Sequence, residues 1–238
     1  MTESVTINYL KVKSKVEQAC FLSGRDVKDV DLVVVTKGHS SDRINEVLKA
    51  GARILGENYP EETMSKIVEI SPNFAPVWHM IGHLQSRKVK YMYPNFKVIH
   101  SLDSFELGVK LDRLYQEKED KIEVFVEVNI AEEETKFGFP VNAKGDREKL
   151  FIAFENLLNL KSLNITGLMI MPPFAVFERQ NEACYNSCRD LRDEIKLRFN
   201  LDHFKHLSMG TSADYETAIR CGSTHVRVGE AIMGKRNY

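Results

Sequence analysis

Leu32-Val33-Val34-Val35-Thr36-Lys37 is a β-branched apolar run that ends on a single amine where the chain turns away. Strands that are apolar throughout, rather than alternating with polar residues, belong to parallel sheets covered on both faces. A period of two puts Val33, Val35 and Lys37 on one face and sends Leu32 and Val34 toward the other. Lys37 is then either a rim charge or a nucleophile, because burial readily converts a lysine into a reactive amine.

Outward from this run, short β-rich segments alternate with longer segments of helical period, eight times over. The predicted strands are Leu32–Lys37, Ala52–Asn58, Val77–Gly82, Phe96–Leu102, Ile122–Ile130, Ile165–Met171, His206–Gly210 and His225–Gly229. Helices are predicted at Ile7–Leu22, Ser41–Lys49, Pro60–Ile70, Ser104–Glu119, Lys149–Leu160, Phe177–Phe199 and Ala213–Cys221. Right-handed crossovers make such strands parallel. Eight units over 238 residues suit a closed (β/α)8 TIM barrel. An open doubly wound sheet competes, but no G-x-G-x-x-G follows the first strand. No linker divides the chain, so residues 1–238 read as one domain. The polar stretch Ala131–Lys149, shaped by Gly138 and Pro140, reads as a solvated loop or a lid.

With 43% hydrophobic and 28% charged residues the chain has material for a large core. Thirty-three basic and 34 acidic residues give a net charge of -1, so no global field draws it onto nucleic acid or an anionic membrane. No apolar run approaches the roughly 18 to 20 residues of a membrane span, and the N-terminus lacks a signal-peptide pattern. A cytoplasmic location is expected. Cys20, Cys184, Cys188 and Cys221 form no C-x-x-C pair and read as reduced packing residues, with no metal site.

On a parallel barrel the C-terminal strand ends share the face that carries chemistry. There stand Lys37, Glu57, Asn58, His79, Gly82, Asp103, Asn129, Met169–Pro173, Ser208–Ser212 and Arg227–Glu230. Ser208-Met209-Gly210-Thr211-Ser212 enters a helix, and Thr211-x-x-Asp214 has capping-box spacing. It is either an ordinary capped turn or an anion site; pairing with Gly229, after strand eight, favours the anion. Arg227 shares the face of Gly229. It forms either an ion pair with Glu57 or Asp103 or a donor to a bound ring. His79 either stacks on a ring or satisfies a core hydrogen bond. Asn58 is a ring-oxygen or supporting donor, and Met169 packs or lines the pocket.

A lysine facing a phosphate cradle, with an arginine between, suggests pyridoxal 5'-phosphate. A free lysine has a pKa near ~10.4, so less than about one part in a thousand is neutral at pH 7. Burial and a neighbouring cation favour the neutral amine that condenses with an aldehyde.

These residues resemble the pyridoxal phosphate homeostasis proteins, single-domain relatives of the alanine racemase N-terminal barrel. The resemblance runs through Val34–Lys37, Gly56–Tyr59, Trp78–Lys88, Val128–Ile130, Gly167–Met169, Leu207–Asp214 and Gly222–Gly229. It implies Lys37 as the Schiff-base lysine, with Ser208, Gly210, Thr211, Ser212 and Gly229 around the phosphate and Arg227 facing the pyridine nitrogen. A cation there cannot take a proton from the ring, which leaves a weaker electron sink. Two departures stand out. Lys37-Gly38-His39-Ser40 lacks the family's usual proline, so a looser loop is expected, and Arg87 replaces a frequent asparagine.

Racemases of this fold add a second domain that supplies a tyrosine base from the partner subunit. The sequence ends at Tyr238, without room for it. Lys37 serves only one face of a substrate carbon. The expectation is a non-catalytic monomer that buffers or delivers pyridoxal phosphate to apo-enzymes; the alternative is a small racemase or lyase.

Overall fold

The computed structural model describes residues 4–130, 137–172 and 178–235, with the side chain of residue 178 excepted. The polar run Ala131–Lys136, Pro173, Phe177 and Tyr238 lie outside the described residues.

The valine run forms β1 (Asp31–Val35). It is followed by β2 (Ile54–Glu57), β3 (Val77–Met80), β4 (Phe96–Leu102) and β5 (Ile122–Asn129). After a two-residue strand β6 (Phe139–Pro140) come β7 (Leu163–Met169), β8 (His206–Ser208) and β9 (His225–Val228). The pairing order is β4-β3-β2-β1-β9-β8-β7-β5, and β4 pairs with β5, so eight parallel strands close into a barrel. β6 only extends β5, through Val128↔Phe139 and Asn129↔Pro140. All eight predicted barrel strands are present, and the open sheet is excluded by closure.

Helices α1 (Val5–Leu22), α2 (Ser41–Lys49), α3 (Pro60–Glu69), α4 (Phe105–Gln116), α5 (Asp146–Leu158), α6 (Glu178–Arg198), α7 (Tyr215–Arg220) and α8 (Glu230–Met233) surround the strands. Three of the helix starts have a local cause. Pro60 sits at N1 of α3, where its missing N–H costs nothing, and Ser104 Oγ accepts from Leu107 N–H at 3.4 Å to cap α4. α5 starts earlier than predicted because Gly145, with φ of 88°, takes the left-handed cap position and Asp146 accepts from the Ala143 N–H. Between β3 and β4 the chain makes only a 3-10 turn, Ser86–Tyr91. Arg87 is exposed and bonds Gln85; nothing in the structure explains it further.

The main core lies between strands and helices and includes Val34, Ile44, Val47, Leu48 and Leu55. A separate small cluster, Val98, Phe125 and Met169, fills the barrel interior. The parity read from the valine run holds: Val34 joins the outer core, whereas a Cβ on Gly56, the neighbour of Val35, would meet Val33 Cγ1 at 2.9 Å inside. The four cysteines are free, and three of them are buried. None of the described helices is long and apolar enough to cross a membrane.

Candidate functional site

β1 stops at Val35, and Lys37 stands in the turn just beyond it. Thr36 fixes that turn. Its Oγ1 donates to Glu57 Oε1 at 2.7 Å, its N–H donates to Gly56 O at 3.0 Å, and its carbonyl accepts from Lys66 Nζ at 3.1 Å. Glu57 and Lys66 form a buried ion pair at 2.7 Å, and Lys66 also reaches Glu62 at 2.7 Å. Burial pushes the Glu57 carboxyl up, against the pull of Lys66. Although no proline follows Lys37, Gly38 N–H donates to Glu62 Oε1 at 3.2 Å and His39 N–H to Thr36 O at 3.1 Å. Gly38 takes a φ of 72°, a backbone state that suits glycine.

Lys37 lines a cavity of about 610 Å³ together with Val35, Asn58, Met169, Thr211, Ser212, Arg227 and Gly229. These eight of the eleven predicted residues therefore meet. His79, Ser208 and Gly210 do not line it. Gly210 is a packing residue: at φ of 95° its Cβ would stand 2.5 Å from Ala218 Cβ. Ser208 turns into the barrel beneath the cavity, where Arg227 Nη1 donates to its Oγ at 2.6 Å and His100 Nδ1 lies 2.7 Å away. His79 Nδ1 in turn lies 2.9 Å from His100 Nε2, so the core hydrogen-bond reading of His79 is the one observed.

The anion turn is built differently from a full capping box. Asp214 Oδ1 accepts from the Thr211 N–H at 2.7 Å, but Thr211 Oγ1 bonds that same carboxylate instead of an N–H of α7. Asn181 and Tyr185 hold the other oxygen of Asp214 at 2.8 and 2.6 Å. Across the gap, the N–H groups of Gly229 and Ala231 converge on Ser212 Oγ, each at 3.2 Å. A Cβ on Gly229 would come within 3.2 Å of Val35 Cβ, so glycine permits this approach of β9 to β1. Glu230 is exposed and lines the same cavity, at its solvent side.

The expected ion pair of Arg227 with Glu57 or Asp103 is not formed. Glu57 is taken by Lys66 and Thr36, and Asp103 lies 2.7 Å from His83 Nδ1. Arg227 instead donates to Ser208 Oγ, to Ile170 O at 3.0 Å and to Met171 Sδ at 2.9 Å. Glu127, on β5, also lines the cavity and was not singled out from sequence. It is 8% exposed and makes no hydrogen bond or ion pair with the described residues. Burial, with Asp103 nearby, pushes its carboxyl up to about 7, against Arg227. Strand parity held the signal, since Glu127 is two residues before Asn129 and shares its face. On the outer wall His83 stacks on Phe137 at 3.7 Å. No group of metal ligands occurs among the described residues.

Residues 24–237 match the alanine racemase N-terminal domain family. The pyridoxal phosphate homeostasis protein of Aquifex aeolicus is 33% identical over 228 residues, 96% of each chain. PipY of Synechococcus elongatus, solved with PLP bound, matches at 29% identity and a TM-score of 0.80 over 92% of this chain and 100% of PipY. An alanine racemase from Clostridium difficile shares the fold at 14% identity and a TM-score of 0.69; the match covers 97% of this chain but 56% of that enzyme. Eight closed parallel strands, a rim lysine facing the glycine-shaped turn and these near full-length matches agree: the chain belongs to the pyridoxal phosphate homeostasis protein family, built on the alanine racemase N-terminal domain.

Proposed function

We propose that this chain binds pyridoxal 5'-phosphate through Lys37 and buffers or delivers it, without turnover, as a single-domain cytoplasmic monomer serving apo-enzymes. One observation carries the reading: Lys37, Arg227 and the Thr211-Ser212 and Gly229 turns converge on one cavity. The residues fit the cofactor. A cavity of about 610 Å³ is of small-cofactor size, and Arg227 brings a buried cation with neutral acceptors around it. When bound, the cofactor supplies an aldehyde that condenses reversibly with an amine. Lys37 offers that amine, and the Gly229 and Ala231 N–H groups, which donate to Ser212 Oγ in this structure, would turn with the Ser212 hydroxyl to phosphate. Arg227, whose guanidinium only donates, would face the ring without taking a proton from it.

Borohydride reduction followed by mass spectrometry is expected to place a single pyridoxyl group on Lys37. Lys37→Ala is expected to lose the visible absorption band, while wild type transfers cofactor to an apo-enzyme. An adduct on another lysine overturns the assignment.

A second reading, a small racemase or lyase, draws on Glu127. A carboxyl near pH 7 in the cavity has the protonation behaviour of a general base. Turnover of D- or L-amino acids that disappears in Glu127→Gln would establish it and end the carrier reading.

A further inference from the structure

Arg227 is 4% exposed, and no described carboxylate pairs with it. A buried cation is costly unless its protons are met. The acceptors that meet them are neutral, and one begins a chain. An arginine only donates, so the Ser208 oxygen accepts from Nη1 at 2.6 Å and keeps one proton to give. Its other described partner is His100 Nδ1 at 2.7 Å. The arrangement that strands no buried proton has Ser208 donating to His100 Nδ1. That places the His100 proton on Nε2, pointing at His79 Nδ1 at 2.9 Å, and His79 is then protonated on Nε2. Every bond runs in the same sense away from the guanidinium, the arrangement in which hydrogen bonds polarise one another.

Ser208 and His100 are fully buried and His79 is 3% exposed, in an interior they share with Val98, Phe125, Met169 and the His225 ring, 5.6 Å from that of His100. Three polar side chains here are expensive unless they form one complete network. Phe125 packs against the His100 ring at 4.6 Å and fixes its plane. Burial holds both imidazoles neutral, so each keeps the lone pair that the chain needs. Burial pulls the Arg227 guanidinium down, and Tyr185, Glu127, Asp214 and Cys188 around it oppose that; none of the four bonds it. Among the described residues no negative group bonds Arg227 from beneath, so its charge stays available to the cavity above.

We propose that Ser208, His100 and His79 are positioning residues that aim the Arg227 guanidinium into the cofactor cavity and keep it a full cation there. The proposal rests on the cofactor reading of that cavity, and it reassigns Ser208 from holding phosphate to holding Arg227.

The test compares Ser208→Ala, His100→Leu and His100→Asn with wild type, cofactor-free and loaded. In the cofactor-free protein, long-range nitrogen-proton NMR is expected to find His79 and His100 neutral with the proton on Nε2. Exchange of the Arg227 Nη1 protons is expected to quicken at least about tenfold in Ser208→Ala and His100→Leu, the loss of a charge-assisted bond. In the same two variants pyridoxal phosphate affinity should fall roughly tenfold, with a shifted absorption band. His100→Asn, whose Oδ1 can take the place of Nδ1 opposite Ser208, should restore all three.

A His100→Leu protein of lower Tm but unchanged Arg227 exchange and cofactor affinity would overturn the proposal. So would a proton on His100 Nδ1. If His100→Leu does not fold, Ser208→Ala decides the same comparison. Wild type that takes up no cofactor would sink the functional reading alone, because the exchange and tautomer measurements decide the positioning of Arg227 without it.

Discussion

At the N-terminal ends of the barrel strands, His225 Nδ1 lies 2.9 Å from Thr224 Oγ1 and its Nε2 3.4 Å from Asp31 Oδ2. Thr166 donates to Glu123 at 2.7 Å, and Ser223 Oγ reaches the carbonyls of Leu207, Met209 and His225. At the other end, Glu127 makes no bond with described residues, and Asn58 Oδ1 is buried without a hydrogen-bond partner beside the same cavity. Buried polar groups are normally satisfied, so the unmet Asn58 acceptor sets this end apart from the base. His206 Nδ1 is the exception at the base. The same strands thus serve stability at one end and recognition at the other.

The buttress under Lys37 offers the largest test of that division. Lys66→Met leaves Glu57 buried without its cation, and breaking such a pair costs about 3–5 kcal/mol. Thermal unfolding at pH 8 should show that loss, and a smaller one in acid, where Glu57 is neutral in both states. Unchanged stability at pH 8 would remove the buttress from the account.

Glu127→Gln should act in the opposite direction. The folded carboxyl is raised from 4.5 to about 7, so it favours folding below pH 4.5 and loses that contribution as pH rises toward 7. The amide, which never ionises, is then expected to stabilise the protein by up to about 3 kcal/mol at pH 8 and by almost nothing at pH 4. Denaturant unfolding at the two pH values checks this, and an equal effect at both would break the contrast between the ends.

The buried histidines act only in acid, away from the pH at which the other two tests are read. Burial lowers His79 from 6.5 to about 3 and holds His100 and His225 well below 6.5. The unfolded chain binds more protons, so their contribution is complete above about 6.5 and is lost as pH falls toward 3. Each adds a slope of up to about 1.4 kcal/mol per pH unit. His225→Gln should flatten the fall of Tm with acid without altering cofactor affinity; a changed affinity would mean that the base of the barrel is not purely structural.

How much of this was legible follows from what each inference needed. The valine run and its seven successors were legible because a strand buried on both faces leaves an apolar signature along the chain. Lys37, Arg227, Ser212 and Gly229 were legible because strand ends and turns mark a rim. The start of α5 was not, since it depends on the left-handed Gly145. Glu127 and His100 lie within strands, where only the question of which face points inward separates them from outward polar residues. The two readings of Arg227 could not be separated along the chain, because Glu57 and Asp103 are claimed by Lys66 and His83, contacts between residues remote in sequence or on different elements.

The sequence by itself determined that eight strands alternate with helices and that an amine, an arginine and a glycine-shaped turn stand at their C-terminal ends, because periodicity is a local property of the chain; that the strands close into a barrel was settled by the β4–β5 pairing. Only the tertiary structure decided which polar groups find partners and which stay open. That outcome depends on distances of about one hydrogen bond between β3, β4, β8 and β9, set when the barrel closes and brings Ser208, His100 and His79 beneath Arg227.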